Sequence, residues 1–149
     1  MALRGFEKVS TYQETAILPE RQTRQAAGYD FHALEQVVLE PQRVTLIPTG
    51  IKAYMPENEF LGLYLRSSIA TKKQVMMINS VGIVDADYYN NQDNEGHIYF
   101  ACYNLNQEAV TISQGERIGQ GIFQPFLRAE EQSEPELRTG GFGSTTLVE

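Results

Sequence analysis

The sequence predicts an all-β fold that contains a single short helix. Segment 60–66, FLGLYLR, alternates leucines with other residues, which is typical of a strand whose two faces have different surroundings. Similar short segments recur along the chain between prolines and glycines, and long helical periodicity is nearly absent. Their close spacing favours a β-sandwich or a barrel.

Turn residues separate the predicted strands in order along the chain. Pro41 follows the first strand, Pro48 separates the second from the third, Pro56 ends the third, and Gly115 precedes the last. The expected strands are residues 37–40, 43–47, 50–55, 60–66, 97–103, 109–112 and 121–126.

The helix is predicted in segment 66–74, RSSIATKKQ. Ser67 or Ser68 can act as its N-cap, and the following residues tolerate a helix. It is expected to have about two turns.

A single domain is expected from 149 residues that are 42% hydrophobic and 21% charged. We expect the β-domain to comprise residues 1–127, followed by an acidic linker at 128–137 and a glycine-rich C-terminal arm at 138–149. Cys102 is the only cysteine, so we expect a reducing, cytoplasmic location. No apolar run predicts a membrane span.

The net charge of −7 argues against nucleic acids and anionic membranes as general partners. An anionic ligand would therefore need local cations. Candidates are Arg66, Arg117 and Arg138.

Segments 26–34 and 66–70 are the first two candidates for chemistry. In AAGYDFHAL, Gly28 permits an unusual backbone turn just before Asp30. In RSSIA, an arginine and the hydroxyls of Ser67 and Ser68 lie at a predicted helix start, where phosphate is the expected ligand.

Segment 79–91, NSVGIVDADYYNN, is the third candidate. Asp85 and Asp87 are two residues apart, so they project to the same side of an extended chain. Two carboxylates on one face can activate water or hold a metal. Neighbouring valines and Ile83 suggest a partly buried hairpin.

Two glycine-containing segments complete the set. GERIGQGIF at 115–123 is a turn followed by a strand, with Arg117 and Gln120 as polar members. RTGGFGSTT at 138–146 combines main-chain N–H groups and hydroxyls, which can wrap an anion, with the charge of Arg138 and the flat ring of Phe142.

Taken together and in this order, the five segments resemble the five motifs of the trimeric dUTP diphosphatase (dUTPase) family. The similarity extends from about Gly28 to Thr145, and its most specific parts are GIVDADY and GGFGST. The resemblance implies hydrolysis of dUTP to dUMP and pyrophosphate, a jelly-roll β-fold, and a homotrimer with active sites at subunit interfaces. The C-terminal arm would close over nucleotide bound to neighbouring subunits.

The resemblance also implies the roles of individual residues. Asp85 would be the general base that deprotonates a water attacking the α-phosphorus. Asp30 would reach, through water, the Mg²⁺ chelated by the triphosphate, and Phe142 would stack on uracil. The expected phosphate contacts are Arg66, Ser67, Ser68, Gln120, Arg138, Gly143, Ser144 and Thr145.

Specificity for uracil would come from a hairpin at 79–99. Main-chain groups would read the base edge, and Tyr88 would pack beneath the deoxyribose. The other residues expected at the base are Asn79, Gly82, Ile83, Val84 and Tyr99.

The chain departs from the family pattern in three places. Ser68 replaces a glycine, the arm is one residue shorter after Arg138 with Thr146 replacing its final glycine, and the exposed polar segment NNQDNEG is inserted at 90–96. Two other functions stay open: a dCTP deaminase of the same fold, and a nucleotide-sensing module that binds a protein partner through the 90–96 loop.

Overall fold

The computed structural model describes residues 2–130 and 135–141. In these residues the chain forms eleven strands, one α-helix and two 3₁₀ turns, at Ser10–Tyr12 and Ala86–Tyr88. The strands are β1 Gly5–Lys8, β2 Tyr29–His32, β3 Val37–Leu39, β4 Val44–Pro48, β5 Ile51–Tyr54, β6 Glu59–Leu65, β7 Val75–Met77, β8 Gly82–Asp85, β9 Tyr99–Asn104, β10 Val110–Ile112 and β11 Arg117–Pro125. The helix, α1, is Ser67–Lys73.

The strands pair antiparallel in four sheets. A four-stranded sheet has the order β2-β11-β6-β8, and a three-stranded sheet has the order β4-β9-β7. Two smaller sheets pair β1 with β5 and β10 with β3. The prediction of a jelly-roll-like, all-β fold with one short helix is confirmed.

The core lies between the two larger sheets. Phe31 of β2 and Phe100 of β9 are fully buried, and their ring centroids are 5.7 Å apart. Gly119 of β11 leaves the space that the Phe100 ring occupies. Strand β6 is an inner strand of the four-stranded sheet, and its Leu61 and Leu63 are buried, as their alternation predicts.

The helix is where the sequence predicts it, but its capping differs from the prediction. Arg66 occupies the N-cap with extended dihedrals, and no side chain caps the helix. Ser67 and Ser68 therefore lie inside the first turn. Gln74 ends the helix in the left-handed conformation.

The segment 79–99 is not the hairpin that the sequence suggests. Strand β8 pairs with β6, whereas β9 pairs with β4 and β7, so the segment passes from one sheet to the other. Strands β1, β2 and β7 are not among the strands that the sequence predicted.

Cys102 of β9 is fully buried, and burial raises the pKa of its thiol to about 12. It packs as a small core side chain, as predicted. Within 2–130 and 135–141, no helix has the length and apolar character needed to cross a membrane.

Candidate functional site

A cavity of about 260 Å³ opens between the end of β8 and the start of β9. Leu63, Ile98 and Ala101 supply apolar wall. Eight of the residues predicted from the sequence also line it: Asn79, Gly82, Ile83, Val84, Asp85, Tyr88, Tyr99 and Arg138.

Strand β8 presents both main-chain and carboxylate groups to this cavity. It is the edge strand of the four-stranded sheet, so β6 satisfies the hydrogen bonds of only one of its sides. Its residues alternate between buried and exposed, which buries Val84 and leaves Asp85 at the mouth of the cavity. The Asp85 side chain is 51% exposed and can contact solvent.

Arg138 brings the two predicted carboxylates together. Its Nη2 donates to Asp85 Oδ2 at 2.7 Å, and its Nε donates to Asp87 Oδ1 at 3.2 Å. Its main-chain N–H also donates to Asp87 Oδ2 at 2.9 Å. Asp87 lies in a 3₁₀ turn, so the prediction of an extended chain through both residues is wrong. The carboxylates nevertheless converge on one guanidinium.

Tyr88 forms the floor of the same region. It is buried, its hydroxyl donates to His97 O at 2.6 Å, and burial raises its pKa. Asn94 Nδ2 donates to the Tyr88 hydroxyl at 2.9 Å. The Arg138 guanidinium lies over the ring, 5.6 Å from its centroid.

A second group of predicted residues lies on β2 and β11. Asp30 and Gln120 are paired in register, and Arg117 Nη1 donates to Asp30 Oδ2 at 3.2 Å. Gly28 does not make the unusual turn predicted for it, because its φ is not positive. A Cβ there would instead collide with the Gln120 side chain, so glycine is required for close approach.

Arg66, Ser67 and Ser68 follow the last residue of β6, at the end far from Asp85. Asp85 is paired with Phe60 near the start of β6, and Arg66 is six residues further along the chain. At about 3.3 Å per residue, the two ends are ~20 Å apart. A single chain therefore does not bring these phosphate-binding candidates to its own Asp85.

The loop 90–96 is held to the rest of the domain by side-chain hydrogen bonds. Asn91 is buried, whereas Gln92 and Asp93 are exposed. Glu95 accepts hydrogen bonds from Lys52 and Ser10, which lower its pKa to about 2. The asparagines of this loop indicate local side-chain to main-chain hydrogen bonds, because asparagine favours such turns. The sequence alone does not show that Lys52 and Ser10 are the partners of Glu95.

Four predicted site residues, Phe142, Gly143, Ser144 and Thr145, lie outside the described residues. Among residues 2–130 and 135–141, no three His, Cys, Asp or Glu side chains group in a way that could hold a metal ion.

Comparisons with known proteins give one consistent result. A family model described as dUTPase matches residues 14–146. The deoxyuridine 5'-triphosphate nucleotidohydrolase of Lactococcus lactis subsp. lactis is 52% identical over 148 residues, which cover 97% of this chain and 99% of that protein.

Solved structures agree. The crystal structure of dUTPase from Streptococcus mutans superposes with a TM-score of 0.82 and 45% identity, covering 85% of this chain and 99% of that one. A mutant dUTPase from phage phi11 of S. aureus, described as coordinating a structural Mg(II) ion, has a TM-score of 0.73 at 24% identity. The superposition covers 89% of this chain and 97% of the phage protein. At 24% identity, this similarity shows the fold alone.

Proposed function

The chain belongs to the dUTPase family, and from this premise we propose that it hydrolyses dUTP to dUMP and pyrophosphate. This reaction limits uracil in DNA and supplies dUMP for dTMP synthesis. The observation that carries the proposal is the position of Asp85 at the mouth of a cavity that also contains Tyr88 and Arg138. A cytoplasmic location belongs to the same proposal.

In the proposed mechanism, Asp85 accepts a proton from a water molecule. The water oxygen forms a bond to the α-phosphorus while the bond from that phosphorus to the β-phosphate bridging oxygen breaks. Pyrophosphate leaves, and dUMP stays in the cavity until release. The Asp85 carboxylate at the end of β8 is exposed and has access to such a water. The hydrogen bond from Arg138 holds this carboxylate in one orientation.

Uracil recognition is assigned to the free edge of β8. Gly82, Ile83 and Val84 offer main-chain N–H and C=O groups at fixed spacing beside the cavity, and Asn79 adds a side-chain amide. Cytosine reverses part of the donor and acceptor pattern of uracil, so it would leave buried groups unpaired.

The floor and side of the cavity complete the nucleoside site in this proposal. Tyr88, fixed by His97 and Asn94, packs beneath the deoxyribose and leaves no room for a ribose 2′-hydroxyl. Tyr99 is a wall of the same cavity.

The phosphate site is proposed to be shared between subunits. Gln120 on β11 pairs with Tyr64 near the end of β6, and Arg66, Ser67 and Ser68 follow that end at the start of α1. Because this end lies away from Asp85 of the same chain, these four residues are assigned to the triphosphate bound beside a neighbour's Asp85. Arg138, Gly143, Ser144 and Thr145 complete the proposed phosphate contacts, and Phe142 is proposed to stack on uracil. We also propose that the chain consists of a β-domain at 1–127, an acidic linker at 128–137 and a C-terminal arm at 138–149.

Mg²⁺ is proposed as the cofactor. Mg²⁺ is commonly bound through one or two carboxylates, waters and substrate phosphates, so it does not require a cage of protein ligands. Asp30, half-buried and already fixed by Arg117, is the carboxylate proposed to hold it through water. When bound, the ion supplies positive charge to the phosphate oxygens.

An exposed apolar face supports the homotrimer. Val44 and Leu46 on β4 and Met76 on β7 lie on the outward side of the three-stranded sheet, with side chains 39–50% exposed. The adjoining Ile78 is 48% exposed. The cavity residue Ala101 pairs with Leu46 on this sheet, so a neighbour docked here lies beside the cavity.

A product assay tests the function. The purified chain is incubated with Mg²⁺ and, separately, dUTP, dCTP, dTTP or UTP, while pyrophosphate is measured and nucleotides are separated by chromatography. We expect dUMP and pyrophosphate from dUTP alone, and loss of both when EDTA replaces Mg²⁺. Conversion of dCTP to dUTP would identify the chain as a deaminase. No turnover of any nucleotide would favour the nucleotide-sensing module that binds a protein partner.

Substituting Leu46→Glu is expected to dissociate the trimer and to lower kcat/KM by more than tenfold. The charge is placed on the apolar face, and a lone subunit lacks the neighbour's phosphate contacts. Light scattering after size-exclusion chromatography measures the mass, beside the dUTP assay. Val38→Glu is the matched control, because Val38 is 45% exposed on β3 of another sheet. A fully active trimer of Leu46→Glu would refute this interface.

A further inference from the structure

His97 is a buried, titratable side chain that the proposed reaction does not use. It is 4% exposed, and it is not among the described residues that line the cavity of about 260 Å³. The next two residues along the chain, Ile98 and Tyr99, do line that cavity. His97 therefore lies directly behind the wall of the proposed nucleoside site.

The imidazole ring of His97 accepts a hydrogen bond from the main chain. The N–H of Gly50 donates to His97 Nε2 at 2.8 Å, and Gly50 is itself buried. Burial lowers the pKa of His97 to about 4, so the ring is neutral near pH 7 and its proton is on Nδ1. The lone pair of Nε2 thus satisfies a buried N–H group that would be costly to leave unpaired.

The turn that contains Gly50 holds the cavity wall through two further bonds. Thr49 Oγ1 donates to Ile98 O at 2.7 Å, and the N–H of Ile98 donates to Ile51 O at 2.9 Å. Gly50 has a φ of 72°, in the left-handed region that favours glycine. Residues 97 and 98 are therefore fastened to residues 49–51, at the start of β5, by side-chain and main-chain hydrogen bonds together.

Both tyrosines of the cavity contact His97. The centroid of its ring is 4.3 Å from that of Tyr99, and the two planes make an angle of 40°. Its main-chain oxygen accepts from the Tyr88 hydroxyl at 2.6 Å. The ring also contacts Tyr12 of the first 3₁₀ turn, at 5.4 Å between centroids. A displacement of His97 would thus remove contacts from both tyrosines at once.

We propose that His97 is a positioning residue: by accepting the hydrogen bond from Gly50, its ring holds segment 97–99 on the turn at 49–51 and so fixes Tyr88 and Tyr99 for the nucleoside. The kinetic effect rests on the proposed function, whereas the hydrogen bond itself does not. Because His97 acts only through the two tyrosines, its loss weakens nucleotide binding more than it slows the chemical step at Asp85.

Nitrogen NMR of protein with isotopically labelled histidine tests the hydrogen bond without any enzymatic assay. His32 and His97 are the only histidines of the sequence, so the variant His97→Gln assigns both signals by the loss of one. In the parent chain near pH 7, we expect a neutral His97 ring protonated on Nδ1, as an Nε2 acceptor requires. A ring protonated on Nε2 would overturn the proposal.

Three substitutions then separate the acceptor atom from the volume of the ring. His97→Leu leaves the N–H of Gly50 unpaired and is expected to raise KM for dUTP about tenfold, while kcat falls less than about threefold. His97→Gln offers Oε1 to the same N–H and should return KM to within about threefold of the parent. His97→Asn carries the same amide one methylene shorter, cannot reach Gly50, and should behave like His97→Leu.

This comparison stays decisive if His97→Leu does not fold, because the amide pair differs only in reach. An unchanged KM in a folded His97→Leu or His97→Asn would overturn the proposal, as would equal losses in His97→Gln and His97→Asn.

Ile112→Val is the control for a loss of stability alone. Ile112 is fully buried in the core and is not among the described residues that line the cavity. We expect a lower unfolding midpoint with an unchanged KM. A KM that rises as much as in His97→Leu would mean that general loosening of the core causes the effect, and would overturn the positioning role.

The proposed function and the role of His97 fail separately. A parent chain without dUTP turnover would refute the proposed function alone. The affinity for a non-hydrolysable dUTP analogue, measured by calorimetry on the same variants, would then take the place of KM, and the NMR result would be unaffected.

Discussion

Substituting Asp85→Asn is expected to lower kcat for dUTP hydrolysis by about 10²–10⁴-fold, the range that a positioned general base contributes. The amide keeps the size of the side chain and an acceptor for Arg138, but it cannot take a proton from water. Binding of dUTP should therefore change little. Single-turnover hydrolysis and calorimetric titration with a non-hydrolysable dUTP analogue measure the two quantities separately.

Asp87→Asn is the matched control for this result. It makes the same chemical change two residues away and also contacts Arg138, through Nε and the main chain. We expect its kcat to fall by no more than about threefold, because Asp87 contacts Arg138 but, unlike Asp85, does not line the cavity of about 260 Å³. Equal losses in both variants would show that charge near Arg138 matters, and that Asp85 is not the base. Full turnover by Asp85→Asn would also exclude that role.

Local patterns in the sequence were sufficient for most of the fold. Leu61 and Leu63 alternate with residues of the other face, and both are in the core. The short helix at 67–73 was predicted from composition and an available cap, although Arg66 rather than a serine occupies the N-cap. What local pattern could not supply was pairing. The 79–99 segment has the composition of a hairpin, but β8 pairs with β6 and not with β9.

In the site, too, residues close together in sequence were predicted, whereas contacts between residues far apart in the chain were not. The segment around Asp85 supplies six of the predicted residues that line the cavity, because Asn79, Gly82, Ile83, Val84, Asp85 and Tyr88 are close together in sequence. Two features depended on residues far apart in the chain and were not predicted. These are the pairing of Arg138 with Asp87, 51 residues away, and the contact of Gly141 with Asp93, 48 residues away.

Gly28 illustrates a different failure. Its sequence context suggested a turn that needs backbone freedom, whereas the structure uses it to make room for the side chain of Gln120. Both explanations are common for glycine in loops, and only the position of β11 beside β2 distinguishes them.

Deletion of residues 138–149 is expected to lower kcat/KM for dUTP by about 10²–10³-fold, the cost of removing a donor aimed at developing charge. The deletion removes Arg138, which contacts Asp85, together with the proposed uracil and phosphate contacts. The unfolding midpoint should change little, because the hydrophobic core cluster contains no residue of 135–141.

Deletion of residues 147–149 alone is the control for this truncation, since it leaves the motif at 138–146 complete and should keep full activity. Steady-state kinetics and thermal unfolding are measured on both proteins. A fully active 1–137 chain would refute a catalytic arm, while a large loss of stability would mean that the arm holds the domain together. Because Arg138 contacts Asp85 and borders the cavity, loss of activity with an intact fold would indicate that the arm at 138–149 contributes to the active site.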